Sequence, residues 1–103
     1  MSQAIAGTFT HSGTNVTPQF SAELLVPQGV TTARLTTRGC DANNTLKTQK
    51  RTVPGGTFAD QVTYNSEQAS TAITVAANEE WRLTNIAGQV SKALQYNFRV
   101  EAS

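Results

Sequence analysis

The chain has 103 residues, enough for one domain with one modest hydrophobic core and too few for two. Only 15% of the residues are charged and the formal net charge is +1, so the composition excludes a strongly basic nucleic-acid or membrane-surface binder. Cys40 is alone in the sequence, which excludes a disulfide within the chain and leaves packing to hold the fold together.

Alternating apolar and polar residues predict three strands in the first part of the chain. They cover about 3–10, 19–26 and 30–38. VPQG at 26–29 predicts a hairpin corner between the second and third strands, with Pro27 at the second turn position. The residues expected to face the core are Ile5, Phe9, Phe20, Ala22, Leu24, Val26, Ala33 and Leu35.

The middle of the chain predicts a polar edge strand followed by a tight turn. The run 45–50 is short and polar, and Lys47 and Lys50 would discourage pairing with a stray strand, so we expect it at a sheet edge. VPGG at 53–56 predicts a type II turn, because Gly55 suits the third position, which needs a positive φ.

Four more strands are predicted at 57–64, 71–77, 80–85 and the closing run 93–102. Gly88, within IAGQVSK, marks a break before the closing strand, in which apolar and polar residues alternate without a fault. The inward residues of these strands are Phe58, Val62, Tyr64, Ile73, Val75, Trp81, Leu83, Leu94, Tyr96, Phe98 and Val100.

The whole pattern predicts an all-β fold of about eight strands in a single domain over 1–103. Short loops favour antiparallel pairing, because a parallel connection needs a crossover of a dozen or more residues. An open sheet would leave one apolar face in water with no helix to cover it. We therefore expect an antiparallel β-sandwich, or a jelly-roll-like form of it.

Residues that could carry catalytic or metal chemistry are few. His11 and Cys40 lie far apart in the sequence, whereas a zinc site needs three or four ligands. No Gly-x-Ser-x-Gly turn presents a nucleophile. We interpret His11 as a loop residue and Cys40 as an unreactive thiol in a turn. We expect no enzyme activity and no catalytic, cofactor-binding or metal-binding residue.

The carboxylates also favour structural interpretations. Glu79 and Glu80 would point to opposite faces of extended backbone, and we interpret them as a solvated acidic turn before Trp81. Asp60 is in phase with Phe58 among the inward residues. We therefore expect a bulge or a hydrogen-bonded turn that directs its carboxylate outward, since an inward carboxylate would need a partner such as arginine.

Two patterns point to ligands but have simpler explanations. KTQKR at 47–51 could contact phosphate, yet it has no interleaved aromatic residues and a charged edge strand explains it as well. Trp81, Tyr64 and Tyr96 could form a platform for a sugar ring. Each of them is in two-residue phase with an apolar neighbour, so we interpret all three as core residues.

The N-terminal segment MSQAIAGTFT has neither the basic start nor the apolar run of a secretory signal. No segment approaches the roughly 18 apolar residues of a membrane span. We expect synthesis in a cytoplasm and no membrane partner, and we interpret the Asn-x-Thr acceptors at Asn15 and Asn43 as chance matches.

Three segments carry a resemblance to a known group of proteins: GTFTHSGTNVTPQFSAEL, EEWRLTN and the closing LQYNFRVE. Together they resemble small all-β structural proteins of tailed-phage virions, of the capsid decoration or cement type. The resemblance implies a non-enzymatic virion protein that binds the major capsid protein or another virion protein in many copies. It also implies a homo-oligomer, with a trimer favoured. From the low net charge and the absence of a long apolar segment we expect no nucleic-acid or membrane partner.

Two other functions stay open from the sequence. A receptor- or carbohydrate-binding β-sandwich module of a phage tail or fibre would bind a glycan and expose aromatic residues at a loop end. An enzyme would need a concave pocket around His11 or Asp60.

Overall fold

The computed structural model describes residues 4–10, 19–85 and 93–101, and within these ranges eight strands form two sheets. The predicted strand number is confirmed for the described residues, whereas the loop HSGTNVTP and the break at Gly88 lie outside them. The strands are β1 Ala4–Phe9, β2 Leu24–Leu25, β3 Thr32–Arg38, β4 Leu46–Thr52, β5 Ala59–Tyr64, β6 Thr71–Thr74, β7 Glu79–Asn85 and β8 Leu94–Val100.

Both sheets are four-stranded and antiparallel in the described part of the chain. The first sheet has the order β1-β8-β3-β6 and the second β2-β7-β4-β5. β1 pairs with β8, β2 with β7, β3 with β6 and β4 with β5, so the chain forms nested antiparallel pairs wound into two layers. This strand order is that of a jelly roll. The predicted antiparallel β-sandwich is confirmed.

The hydrophobic core lies between the two sheets and is built from alternate residues of the strands. In β8, Leu94, Phe98 and Val100 are fully buried, and Tyr96 packs against the core from its rim. The Trp81 ring of the second sheet stacks on the Phe98 ring of the first, with ring centroids 5.8 Å apart. Burying side chains of this size contributes about 1.5–3 kcal/mol each. The inward phase predicted for β8 is confirmed.

The phase predicted for residues around β2 is wrong at its start. Phe20 is 52% exposed and Ala22 is exposed, whereas Ser21 is buried. The Ser21 hydroxyl accepts a hydrogen bond from the Leu83 N–H at 2.7 Å. This hydrogen bond directs Ser21 inward and Phe20 outward, and the expected phase returns only at Leu24–Leu25.

β4 is a central strand rather than the predicted edge strand. It pairs with β7 on one side and with β5 on the other, and its inward residue Leu46 is fully buried. Each of its two lysines forms an ion pair with a carboxylate of a neighbouring strand. Lys47 pairs with Asp60 at 3.1 Å and Lys50 with Glu79 at 3.0 Å. The edges of the sheets are β1, β6, β2 and β5.

The VPQG turn exists, but it is not a hairpin. The Val30 N–H donates to the Pro27 carbonyl at 3.3 Å, so Pro27 takes the first turn position rather than the second. β2 and β3, which flank this turn, belong to different sheets. The turn is therefore a corner between the two layers.

The VPGG segment also turns the chain, with a wider closure than predicted. Gly55 has the expected positive φ, at 88°. The closing hydrogen bond runs from the Gly56 N–H to the Thr52 carbonyl at 2.9 Å, which is one residue wider than a type II turn.

β5 contains the bulge that the position of Asp60 predicted. Val62 pairs with Thr48 and Asp60 pairs with Gln49, so Gln61 is the extra residue in the register. Directly paired residues share a face of a sheet. Val62 therefore lies on the inner side with Thr48, whereas Asp60 lies on the outer side with Gln49.

Candidate functional site

The outer face of the second sheet exposes apolar side chains beside arginines. Phe20 is 52% and Leu25 50% exposed, which makes them the most exposed large hydrophobic residues among those described. Leu25 pairs with Glu80 and points outward, while its neighbour Leu24 is buried. We call this surface the aromatic face and define it by Phe20, Leu25, Arg51, Phe58, Glu80 and Arg82.

Arg82 stands between two aromatic rings at the centre of the aromatic face. Its guanidinium carbon lies 4.1 Å from the ring centroid of Phe20 and 4.0 Å from that of Phe58. The guanidinium of Arg51 lies 4.6 Å from the Phe58 centroid. Each such contact contributes about 0.5–1 kcal/mol at an exposed site. The contacts hold both rings in place on the outer surface of the sheet.

A polar network extends from Arg82 to the bulged strand. The Arg82 Nε donates to Gln49 Oε1 at 2.8 Å, and Gln49 Nε2 donates to Asp60 Oδ1 at 2.8 Å. The hydrogen bond from Gln49, followed by that from Lys47, lowers the pKa of the Asp60 carboxyl below its ordinary value. Asp60 is an exposed, ionised member of a surface hydrogen-bond network.

Glu79 and Glu80 are ion-paired residues of β7 and not the predicted solvated turn. Glu80 accepts Arg51 Nε at 2.7 Å on the aromatic face. Glu79 accepts Lys50 Nζ at 3.0 Å and the indole N–H of Trp81 at 3.1 Å on the inner side. Burial acts to raise the pKa of Glu79, but these hydrogen bonds outweigh it and the pKa is lowered. The predicted opposite orientation of the two carboxylates is confirmed.

The outer face of the first sheet has a different character. Arg34 and Arg99 are directly opposite each other in the pairing of β3 with β8, and Arg38 lies toward the other end of β3. Arg34 Nε pairs with Glu101 at 2.8 Å. Within the described ranges, Arg38 and Arg99 form no ion pair. We call this surface the arginine face and define it by Arg34, Thr36, Arg38, Gln95, Asn97 and Arg99.

A shallow depression of 170 Å³ lies on the arginine face. It is lined by Thr36, Thr37, Arg38, Gln95, Tyr96 and Asn97. The outward side chains among these supply hydroxyl, guanidinium and amide N–H donors. The depression can therefore receive a hydrogen-bond acceptor, and arginine binds carboxylates and phosphates through strong, charge-assisted hydrogen bonds.

The three aromatic residues considered as a sugar platform pack on the core, as the sequence predicted. Trp81 is 2% exposed, and Tyr64 and Tyr96 are partly buried against the core. The Phe9 and Tyr96 ring centroids are 4.7 Å apart. Burial raises the pKa of both tyrosine hydroxyls. Together these residues do not form an exposed platform.

Cys40 is a core residue in the turn that follows β3, and its position in a polar turn did not predict this burial. It is 3% exposed and its thiol lies 3.4 Å from the Tyr64 carbonyl oxygen. The carboxylate of Glu67 accepts the N–H groups of Gly39 at 2.6 Å and Cys40 at 3.1 Å, which fixes the turn. A thiol buried in apolar surroundings is typically inert.

Among the described residues, no three His, Cys, Asp or Glu side chains are placed to hold a metal ion together. His11 and Asn15 lie outside the described ranges. No described helix is both long and apolar enough to cross a membrane. No family model matches the sequence, and a search of curated proteins finds no match.

The aromatic face is the feature that two-residue alternation missed. Phe20 and Phe58 were both expected in the core, and both lie on the outer side of the second sheet against Arg82. One signal in the sequence pointed to this face. Arg82 stands between the inward residues Trp81 and Leu83, so its side chain must lie outside and can be covered only by other outward residues.

Proposed function

We propose that this protein is a non-enzymatic virion structural protein, a capsid decoration or cement protein that binds neighbouring capsid subunits in many copies. The observation that carries the proposal is the aromatic face, where Phe20 and Leu25 are half exposed beside two arginines. Aromatic residues and arginine are enriched at protein interfaces, and rigid aromatic anchors carry much of the binding free energy.

The position of these anchors supports contact with a protein rather than a small ligand. Phe20 and Phe58 are held by Arg82 on the outer face of a sheet. A broad, preordered surface loses little conformational entropy when it docks on another surface. The jelly-roll fold occurs both in viral capsid proteins and in lectins, so it agrees with the proposal without selecting it.

The carbohydrate-binding alternative has less support. Its natural platform residues, Trp81, Tyr64 and Tyr96, pack on the core. The exposed ring of Phe20 has the guanidinium of Arg82 on one of its faces, which leaves less of the ring open for stacking with a sugar.

The proposal is tested by co-sedimentation of the protein with capsids of the phage that encodes it. The capsids are prepared from a phage mutant in which the gene for this protein is deleted. The wild-type protein should sediment with the capsids in many copies. Leu25→Ser and Phe20→Ser should weaken this binding at least about tenfold, as loss of an interface anchor does. Val62→Ser is the matched control, since Val62 is 49% exposed but lies on the inner side of the edge strand β5, outside the aromatic face.

Several outcomes would contradict the proposal. A gene that lies outside any phage or prophage genome would do so, and so would equal binding by the Leu25→Ser and wild-type proteins. Light scattering adds a check on assembly, for which we expect a homo-oligomer and favour a trimer. A strict monomer with measurable affinity on a glycan array would support the carbohydrate-binding module instead.

A further inference from the structure

We infer that the arginine face binds a carboxylate-rich surface of a partner protein, with Arg38 and Arg99 as the contacting cations. The inference rests on the proposed function, because it names the chemistry of the protein surface that the chain would meet. It concerns the face opposite the aromatic face and depends on charge and shape rather than on exposed apolar residues.

The two outer faces differ in how their cations are neutralised. On the second sheet, Lys47 pairs with Asp60, and Arg51 pairs with Glu80 and Glu23. On the outer face of the first sheet, Glu101 pairs with Arg34, and Arg38 and Arg99 form no ion pair with any described residue. The arginine face therefore has an excess of positive charge in the part of the chain that the structure describes, although the formal charge of the whole chain is only +1.

The pairing of Arg34 with Arg99 adds to this imbalance. Like charges directly opposite each other in a sheet are destabilising, whereas opposite charges there are stabilising. Glu101 and the Ser70 carbonyl bind Arg34 at 2.8 and 3.2 Å, whereas among the described residues Arg99 donates to the Ser70 hydroxyl alone, at 3.4 Å. A carboxylate supplied by a partner would neutralise Arg99 and relieve this repulsion.

The side chains that lie beside the arginines on the adjacent strands are short, so a flat partner surface can approach the arginines. Ala4 is opposite Arg99 and Ala72 is opposite Arg34, and both alanines are exposed. Ala6 is opposite Asn97 in the same way. No described bulky side chain on β1 or β6 rises beside the arginines at these positions.

The depression beside Arg38 is rich in hydrogen-bond donors. The Gln95 and Asn97 amides face outward beside the Arg38 guanidinium. The Thr36 hydroxyl accepts the Ser70 N–H at 3.1 Å, which leaves its own O–H to donate. An ionised carboxylate only accepts hydrogen bonds, and arginine can bind it through two parallel N–H groups. The site therefore suits an aspartate or glutamate side chain.

Nucleic acid fits this face less well than a carboxylate-bearing protein does. Nucleic-acid surfaces combine a longer basic stripe with aromatic residues that stack on bases. The arginine face contains three arginines, and Tyr96, the aromatic residue that lines the depression, packs on the core.

The test is a nuclear magnetic resonance titration of the isotope-labelled full chain with poly-L-glutamate at low salt. We expect shifts of the backbone amide signals of Thr36, Arg38, Gln95 and Asn97. Arg38→Gln should weaken the binding about tenfold, the effect of losing a charge-assisted hydrogen bond. Arg99→Gln should weaken it as well. Lys47→Gln, which removes the same charge from the opposite face, should change it less than about twofold.

Three outcomes would overturn the inference. The first is an equal loss of affinity for poly-L-glutamate in Lys47→Gln and Arg38→Gln. The second is a set of amide signal shifts centred away from the arginine face. The third is tighter binding of a single-stranded oligodeoxynucleotide than of poly-L-glutamate to the same residues. The spectra themselves show whether each variant is folded. If poly-L-glutamate binds this face but the protein does not sediment with capsids, the proposed function alone is overturned. If the protein sediments with capsids but poly-L-glutamate does not bind this face, the inference alone is overturned.

Discussion

At the scale of single residues, two glycines share a positive φ but differ in the space available for a Cβ atom. Gly39 directly follows β3 and has a φ of 98°, and Gly55 lies in the VPGG turn with a φ of 88°. A Cβ atom at Gly39 would collide with the carbonyl oxygen of Ala93, whereas a Cβ at Gly55 would meet nothing within 4 Å. Both positions are left-handed, but the space around them differs.

Gly39→Ala should therefore destabilise the protein more than Gly55→Ala. The left-handed conformation costs an alanine about 1–2 kcal/mol, and we expect this loss for Gly55→Ala. We expect about 3 kcal/mol or more for Gly39→Ala, since a backbone oxygen cannot rotate out of the way. Urea unfolding of both variants measures the difference. Equal losses would show that Ala93 does not crowd Gly39.

At the scale of elements, the bulge in β5 decides which residues of this strand lie on the outer side of the second sheet. It directs Asp60 outward while Val62 stays on the inner side. The Thr48 hydroxyl accepts the Val62 N–H at 3.2 Å and lies 3.4 Å from the Val62 carbonyl oxygen. Thr48 is 1% exposed, so its hydroxyl stabilises the bulge from the core side of the sandwich.

Thr48→Val should destabilise the protein by about 1–2 kcal/mol although valine is the more apolar residue, because the Val62 N–H loses a buried acceptor. The amide of Val62 should exchange with deuterium faster than in the wild type. Thr63→Val is the control, since Thr63 is an exposed residue of the same strand. A Thr48→Val protein that is as stable as the wild type would rule out this role for the hydroxyl.

At the scale of the whole molecule, the two sheets share one core and depend on each other. β1 near the start of the chain pairs with β8 near its end, and the Trp81 and Phe98 rings stack across the two layers. The first sheet cannot form without contacts between distant parts of the chain. Such topologies fold slowly, on the scale of milliseconds to seconds.

Unfolding should accordingly be a single cooperative transition. Trp81 is 2% exposed between the sheets, so its fluorescence reports loss of the shared core, whereas far-ultraviolet circular dichroism reports loss of the strands. The two signals should change together in urea. A fluorescence change that clearly precedes the loss of strand signal would mean that the layers separate before the sheets unfold.

Residues whose environment follows from their neighbours in the sequence were predicted correctly, whereas residues whose partners lie on distant strands were not. The alternation in β3 and β8 identified Ala33, Leu35 and Phe98 as core residues, because each strand has one face in water and one in the core. The lysines of β4 suggested an edge strand, since their carboxylate partners lie on β5 and β7 and appear only after folding.

The amino-acid sequence by itself determined the strands, most of the inward residues and the antiparallel sandwich, because alternation and turn residues act over a few neighbouring positions. Only the tertiary structure decided that β4 is central, that Phe20 and Phe58 lie outside around Arg82, and that Arg34 stands opposite Arg99. These features depend on which distant strands become neighbours, and no local pattern in the sequence records that pairing.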